Sequence, residues 1–200
     1  MVIAITMFQS IAYYQNSNIG LIWIDRSVDL DLLGFHIPVA WFNYIDSLVS
    51  IIAVPFLFAL WRYQAAHGGE PGEIAKIATG AWIACIANLL LVAGCAATGR
   101  VPALVPVACD DVLLGVAFLY YWPTLLALVS RAAPPHLRAT MMGTVFLSLF
   151  SGNITIGWLG GLFDRMTALQ FWAMHAGIAA LGGTLAVLLN RRLIAVLELA

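Results

Sequence analysis

The chain has 200 residues, 62% of them hydrophobic and only 10% charged, with a mean hydropathy of +0.95 and a formal net charge of −1. A soluble domain carries about 25% charged residues, so this composition excludes a water-soluble globular protein and points to an integral membrane protein. No basic, aromatic-interleaved stretch marks a nucleic-acid surface, and nucleic acid is excluded as a partner.

Six apolar stretches follow one another, approximately 2–24, 38–63, 74–97, 103–131, 138–162 and 168–190. Crossing the hydrocarbon core takes about 20 helical residues, and each stretch reaches that length. They are read as helices because open sheet edges do not exist in lipid and the alternation of barrel strands is missing. The connections are short: "DRSVDLDLLGFHI", "RYQAAHGGEPGE", "TGRVP", "RAAPPH" and "DRMTALQ". No Ser- or Gly-rich linker divides the chain, so a single domain over 1–200 is expected. The fold class is all-α, a polytopic bundle of six transmembrane helices embedded in lipid.

The first stretch becomes apolar at residue 2 without a basic flank, a charged signal-peptide start or a small-residue cleavage site. It reads like the middle of a longer membrane protein. Its far end carries Tyr13, Tyr14, Gln15, Asn16, Ser17 and Asn18 in succession. They form either the wet end of the span or a polar cavity wall with a locally broken helix. In the second stretch Asp46 is the one acidic residue placed well inside a helix, either hydrogen-bonded to a neighbouring helix or lining a cavity.

The fourth stretch contains Pro123, where a helix loses a hydrogen bond and kinks. Asp110 and Asp111 fall near its outer end, where headgroup water is expected to solvate them. In the fifth, Ser151, Gly152 and Asn153 read as close packing with Asn153 bonding a neighbour, and Gly157 and Gly161 have small-xxx-small spacing. Arg62, Lys76, Arg131, Arg138, Arg191 and Arg192 fall on one side, Arg26, Arg100 and Arg165 on the other. That bias places both termini in the cytoplasm of a bacterial inner membrane.

Other chemistry has little support. His36, His67, His136 and His175 lack metal-ligand spacing, and His175 reads as a packed, neutral histidine. Cys85, Cys95 and Cys109 form no CxxC pair and read as small buried residues. No phosphate loop, clustered histidines or paired carboxylates at membrane depth are found, so no enzyme, cofactor or metal is expected.

Several segments in order carry a family likeness. "YYQNSN" stands where a "YEQxGS"-like stretch is typical, and "DRSVD" matches "DR-VD". "GFHIPVAWFNYIDSL" is similar to "IPxxWFQSLNPL", and "AVPFLFALW" to "APxFAxLW". "PTLLALVSRAAP" matches "PxGLxxVxxLAP", and "MMGTVFLSLFSGNITIG" matches "MMGxWFLSxAxGNxxxG". The chain thus resembles, over nearly its whole length, the C-terminal half of proton-dependent oligopeptide transporters, a branch of the major facilitator superfamily. Such transporters rock two six-helix bundles about a midplane site.

The resemblance implies substrate-binding positions at Tyr14, Gln15, Asn43, Asp46, Phe118, Trp122 and Asn153, with gating or hinge positions at Asp25 and Pro123. It also exposes departures. The glutamate of the family's "GExxxSP" is Phe118 and its glycine Ala117; the acidic residue of "YEQ" is Tyr14; the asparagine and proline of "LNP" are Asp46 and Ser47. The family's N-terminal bundle, with its proton-coupling "ExxER" motif, has no counterpart here. The chain is therefore expected to be a fragment, a split or misassigned reading frame, or a decayed gene. The implied function is a partial proton-coupled symporter of peptides or similar small solutes. It would form one wall of the cavity and need an N-terminal six-helix bundle as partner. The alternative is a degenerate, non-transporting membrane protein that binds other helices.

Overall fold

The structure, a computed structural model, describes residues 2–98 and 104–198. Most of the third connection with Arg100, and residue 103 assigned to the fourth stretch, lie outside the described residues.

The chain is helical from Val2 to Ser27 in three pieces: α1 (Val2–Gln15), a wide π turn (Asn16–Gly20) and α2 (Leu21–Ser27). The polar run thus coincides with a break in the α pattern, a kind of break often found at functional sites. The first connection contains a small antiparallel hairpin, β1 (Asp31–Leu32) with β2 (Phe35–His36). Its turn residues Leu33 and Gly34 both have positive φ, 52° and 83°, as a two-residue hairpin loop requires. A short 3-10 turn leads into α3 (Phe42–His67), followed by α4 (Glu73–Thr98), α5 (Leu104–Ala132), α6 (Arg138–Gly160) and α7 (Ala168–Glu198). Each of α3 to α7 is long and apolar enough to cross a membrane. α1 and α2, at 14 and 7 residues, are each too short alone, and only the run through the π turn reaches spanning length. α7 continues past residue 190, carrying Arg191 and Arg192 on its last turns.

Two core clusters establish the up-and-down course. One joins Ile5 of α1, Ile74 and Ile77 of α4, Leu125 of α5, Val145 of α6 and Leu193 of α7. The other joins Trp23 of α2, Phe42 of α3, Leu91 of α4, Val107 of α5 and Trp172 of α7. Between them the centre is built on small residues, Ala12, Ala84, Ala87, Ala117, Ala176 and Ala179. Without a hydrophobic drive between helices in lipid, such residues let backbones approach and gain dispersion contacts.

α3 packs chiefly on α5, and the membrane-depth stretch of α3 holds no buried residue. It exposes Ile51, Ile52 and Phe56, and α6 exposes Phe150, Ile154 and Trp158. The close approach expected at Gly157 and Gly161 occurs instead at Gly160, where an added Cβ would stand 3.1 Å from Ile19 and 3.4 Å from the Gln15 amide nitrogen. Gly157 faces open space, and Gly161 meets only its own helix, because the helix face turned to the first span is set one residue earlier.

Candidate functional site

Where α3 crosses α5, Gly115 leaves room for the neighbouring backbone. A Cβ there would lie 2.5 Å from the Asp46 carbonyl oxygen and 3.1 Å from its Cα. Ser50 Oγ donates to the Gly115 carbonyl oxygen at 2.9 Å, which pins the crossing. This contact brings Asp46 to the first span. The Tyr13 hydroxyl donates to Asp46 Oδ2. The other oxygen, Oδ1, accepts from the Ser47 backbone N–H at 2.6 Å and from Ser47 Oγ at 3.2 Å. The half-buried carboxyl group therefore has donors on both oxygens.

Phe118 lies on the other side of Tyr13. Their rings stack with centroids 5.5 Å apart and planes at 28°. Tyr14 meets Tyr13 edge-on at 4.9 Å. Asp46, Tyr13, Phe118 and Tyr14 are thus one contiguous group drawn from the first span, α3 and α5.

A cavity adjoins this group, lined by Tyr13, Asn16, Ser17, Asn43, Asp46 and Asp111 among others. Its volume of ≈ 10 Å³ is about what one water needs. A peptide does not fit inside it.

Behind the cavity lies a second polar cluster. Asn16 Nδ2 donates to Asp110 Oδ2 at 2.7 Å and to Asp111 Oδ1 at 3.0 Å. Asp110 and Asp111 are only 1% and 4% exposed, which corrects the expectation of headgroup solvation. Six residues into α5 correspond to a descent of about 9 Å along the axis, below the level where the helix begins. The chain therefore does hold paired carboxylates inside a helix, and Asp46 is not its one deep acid. Further down, Ser10 Oγ and the Tyr121 hydroxyl share a hydrogen bond of 2.5 Å.

The remaining sequence-derived positions are scattered. Gln15 is fully buried against Gly160 of α6, with neither amide atom hydrogen-bonded among the described residues. Trp122 lies one turn beyond Phe118 and meets Phe146 of α6 edge-on at 6.0 Å. Asn153 is exposed on α6 and hydrogen-bonded to none of the described residues, so it is not the packing contact expected of it. Ser151 bonds back to Leu147 of its own helix. Asp25 is exposed on α2.

Pro123 lies in an uninterrupted α5 and, lacking an N–H, leaves the Leu119 carbonyl without its helical donor. Both residues line a cavity of ≈ 290 Å³ with Leu57, Phe58 and Trp61 of α3 and Lys76 of α4. The Lys76 ammonium sits 3.8 Å over the Trp61 ring and pairs with Glu70. Nearby, Arg131 pairs with Glu73 at 2.5 Å. His175 is buried, its Nδ1 2.8 Å from the Phe171 carbonyl oxygen. The free cysteines differ in placement: Cys85 is buried, Cys95 half-buried and Cys109 exposed. Cys109 therefore departs from the buried reading because it faces away from the bundle on α5.

These features define an all-α membrane helical bundle whose polar groups converge where the first span, α3 and α5 meet. A family profile described as "PTR2: POT family" matches residues 1–176. The chain belongs to the POT family. The peptide transporter YePEPT of Yersinia enterocolitica is 30% identical over 139 residues, which are 66% of this chain and 27% of that protein. The uncharacterized transporter YclF of Bacillus subtilis is 24% identical over 177 residues, 87% of this chain and 35% of that protein. The crystal structure of peptide transporter POT in complex with sulfate superposes with a TM-score of 0.87 at 21% identity. That match covers 98% of this chain and 39% of the transporter. A POT family transporter in complex with 5-aminolevulinic acid gives 0.85 at 18% identity, over 96% and 40% of the two chains. At these identities the superpositions show the fold. The chain spans between about a quarter and two fifths of the length of these relatives.

Proposed function

We propose that this bundle is one wall of a proton-driven transporter for peptides or similar small amine-bearing solutes, working opposite a second six-helix bundle. The observation that carries this reading is the group Tyr13–Asp46–Phe118. It presents a carboxyl group and an aromatic face at the junction of three helices, next to a cavity too small to hold the solute by itself. Asp46 is the group that meets a substrate amine: a hydrogen bond to a charged partner contributes about 1.5–3 kcal/mol. Phe118 offers a ring face instead of a carboxylate, worth at most about 2 kcal/mol to a desolvated cation, and makes the site smaller and more apolar. Tyr14, Asn43, Trp122 and Asn153 extend the wall, Gln15 supports it from behind, and Pro123 and Asp25 belong to its gates. The bundle sits in a bacterial inner membrane with both termini in the cytoplasm.

Coverage of about two fifths of the solved relatives supports the need for a second bundle, as do the exposed apolar faces of α3 and α6. The test is uptake of a labelled dipeptide by cells that co-produce the chain with an N-terminal six-helix bundle of its family. Uptake that requires both parts and fails with Asp46→Asn supports the reading. Equal uptake by the N-terminal part alone refutes it.

A second reading is favoured by one observation. Tyr13 already occupies Asp46, and Phe118 stands where the family places a glutamate. A bundle whose polar groups satisfy one another is also what a non-transporting, helix-binding membrane protein would show. Purified chain held stably by other membrane proteins, with no dipeptide affinity in any pairing, is the outcome that reading requires.

A further inference from the structure

Asp110 and Asp111 stand apart from the substrate wall, and the transport reading above does not use them. Both are more than nine-tenths buried, and they share a single neutral donor, the Asn16 amide. Asp110 Oδ1 and Asp111 Oδ2 have no hydrogen-bond partner among the described residues. Among the described residues no cation pairs with them, and Arg26 of α2 is exposed. On α4 the charged side chains are Glu73 and Lys76, at the far end beside Arg131, and on α6 the only one is Arg138 at its start. On α7, Arg191 and Arg192 are equally distant, and His175 is directed to the Phe171 carbonyl. Among the described residues the titratable groups that face the pair across the cavity are Asp46 from α3 and Tyr13 from the first span.

An orphaned ionic charge of this kind is costly in a low-dielectric interior, and two adjacent carboxylates with one amide between them are costlier still. A proton is the smallest ligand that relieves both problems. Bound to one carboxyl group, it supplies the donor that the free oxygens lack and removes one like charge. Independently of the pair, there is a route to it. Asp111 and Asp46 line the same cavity, which has room for about one water, and Asn16, Ser17 and Asn43 on its lining would give a water there polar partners.

We propose that Asp110 and Asp111, held together by Asn16, form a proton-binding site of this bundle, exchanging with Asp46 through the cavity water. The transfer balances without any other reagent. The carboxyl O–H of Asp111 breaks heterolytically, its proton passes to the water, and the water gives a proton to the Asp46 carboxylate. Asp111 is left as carboxylate, Asp46 becomes the acid, and no electrons change hands. This assigns the proton a place in the half that carries the solute wall. The inference deepens the proposed function and rests on it for its physiological meaning, although the site itself does not require transport.

The test is infrared difference spectroscopy on the full chain reconstituted in lipid, without substrate or second bundle. At neutral pH the parent is expected to show the C=O stretch of a buried carboxylic acid, shifted on exchange into deuterated water. Asp110→Asn and Asp111→Asn should each remove or displace that band, whereas Asp46→Asn should leave a carboxylic-acid band in place. Absence of the band in the parent overturns the proposal without any variant, which covers the case where a variant fails to fold. A band unchanged in both Asp110→Asn and Asp111→Asn overturns it as well. Because no solute is present, failure here leaves the transport reading standing, and absence of transport leaves a positive band standing.

Discussion

The Tyr13 hydroxyl donates to the Asp46 carboxylate and links the first span to α3 across the edge of α5. The same tyrosine ring stacks on Phe118 of α5, so one side chain joins all three helices at the site. Removing the hydroxyl in Tyr13→Phe keeps the stack and deletes only the hydrogen bond. A bond to a carboxylate contributes about 1.5–3 kcal/mol, and a loss toward the lower end is expected because both groups are half-buried. A double-mutant cycle of Tyr13→Phe with Asp46→Asn, read by thermal or denaturant unfolding, isolates that bond; additive losses would show the two residues are not coupled.

Asp46 and Phe118 should separate binding from packing once a second bundle is present. Asp46→Asn keeps the shape and an acceptor for Tyr13 but removes the charge. Solute affinity is expected to fall about 10- to 100-fold, the equivalent of 1.5–3 kcal/mol, with little change in melting temperature. Phe118→Glu should recover part of the lost affinity by restoring a carboxylate near the wall. Unchanged affinity beside a shifted melting temperature in Asp46→Asn would make Asp46 a packing residue.

The crossing of α3 over α5 depends on Gly115. An added methyl meets the Asp46 backbone, which cannot rotate away as a side-chain end can. Gly115→Ala should cost about 1–3 kcal/mol, the range of overpacked positions, and move Asp46 off Tyr13. Gly143→Ala on α6, where an added Cβ meets nothing, is the control and should be neutral or slightly stabilising. Equal melting temperatures for the two variants would contradict the close crossing.

Orientation is open to a direct measurement. Topology reporters inserted after Gly34, in the hairpin, and after Ala66, at the end of α3, should report periplasm and cytoplasm respectively. The reversed pattern would overturn the placement drawn from the basic residues.

The helical stretches were legible in the sequence because spanning lipid demands long apolar runs, and composition alone carries that signal. The site was legible only in part. Asp46 and Phe118 could be singled out as departures from a family pattern, but Tyr13, the residue that joins them, looked like one member of a polar run. Tyr13 lies on α1, just ahead of the π turn at Asn16–Gly20, and which member of the run turns toward α3 follows from how α1 packs, which leaves no mark in hydropathy. Asp110 and Asp111 were misplaced for a related reason. Two acids near the edge of an apolar stretch resemble a helix end, and only the packing of Asn16 against them shows that they lie below it. Gly160 was missed beside Gly157 and Gly161 because a spacing rule does not say which helix face meets a neighbour.

The central claim is that Asp46 lies on a transport wall which functions only against a second bundle. It is tested most directly by uptake in proteoliposomes under an imposed proton gradient. Three preparations are compared: the 200-residue chain alone, the chain assembled with an N-terminal six-helix bundle, and that assembly carrying Asp46→Asn. The account expects no dipeptide accumulation above empty liposomes in the first, saturable accumulation in the second, and loss of at least about tenfold in the third, matching a charge-assisted bond. Saturable accumulation by the monomeric chain alone, or full activity in the Asp46→Asn assembly, would contradict it.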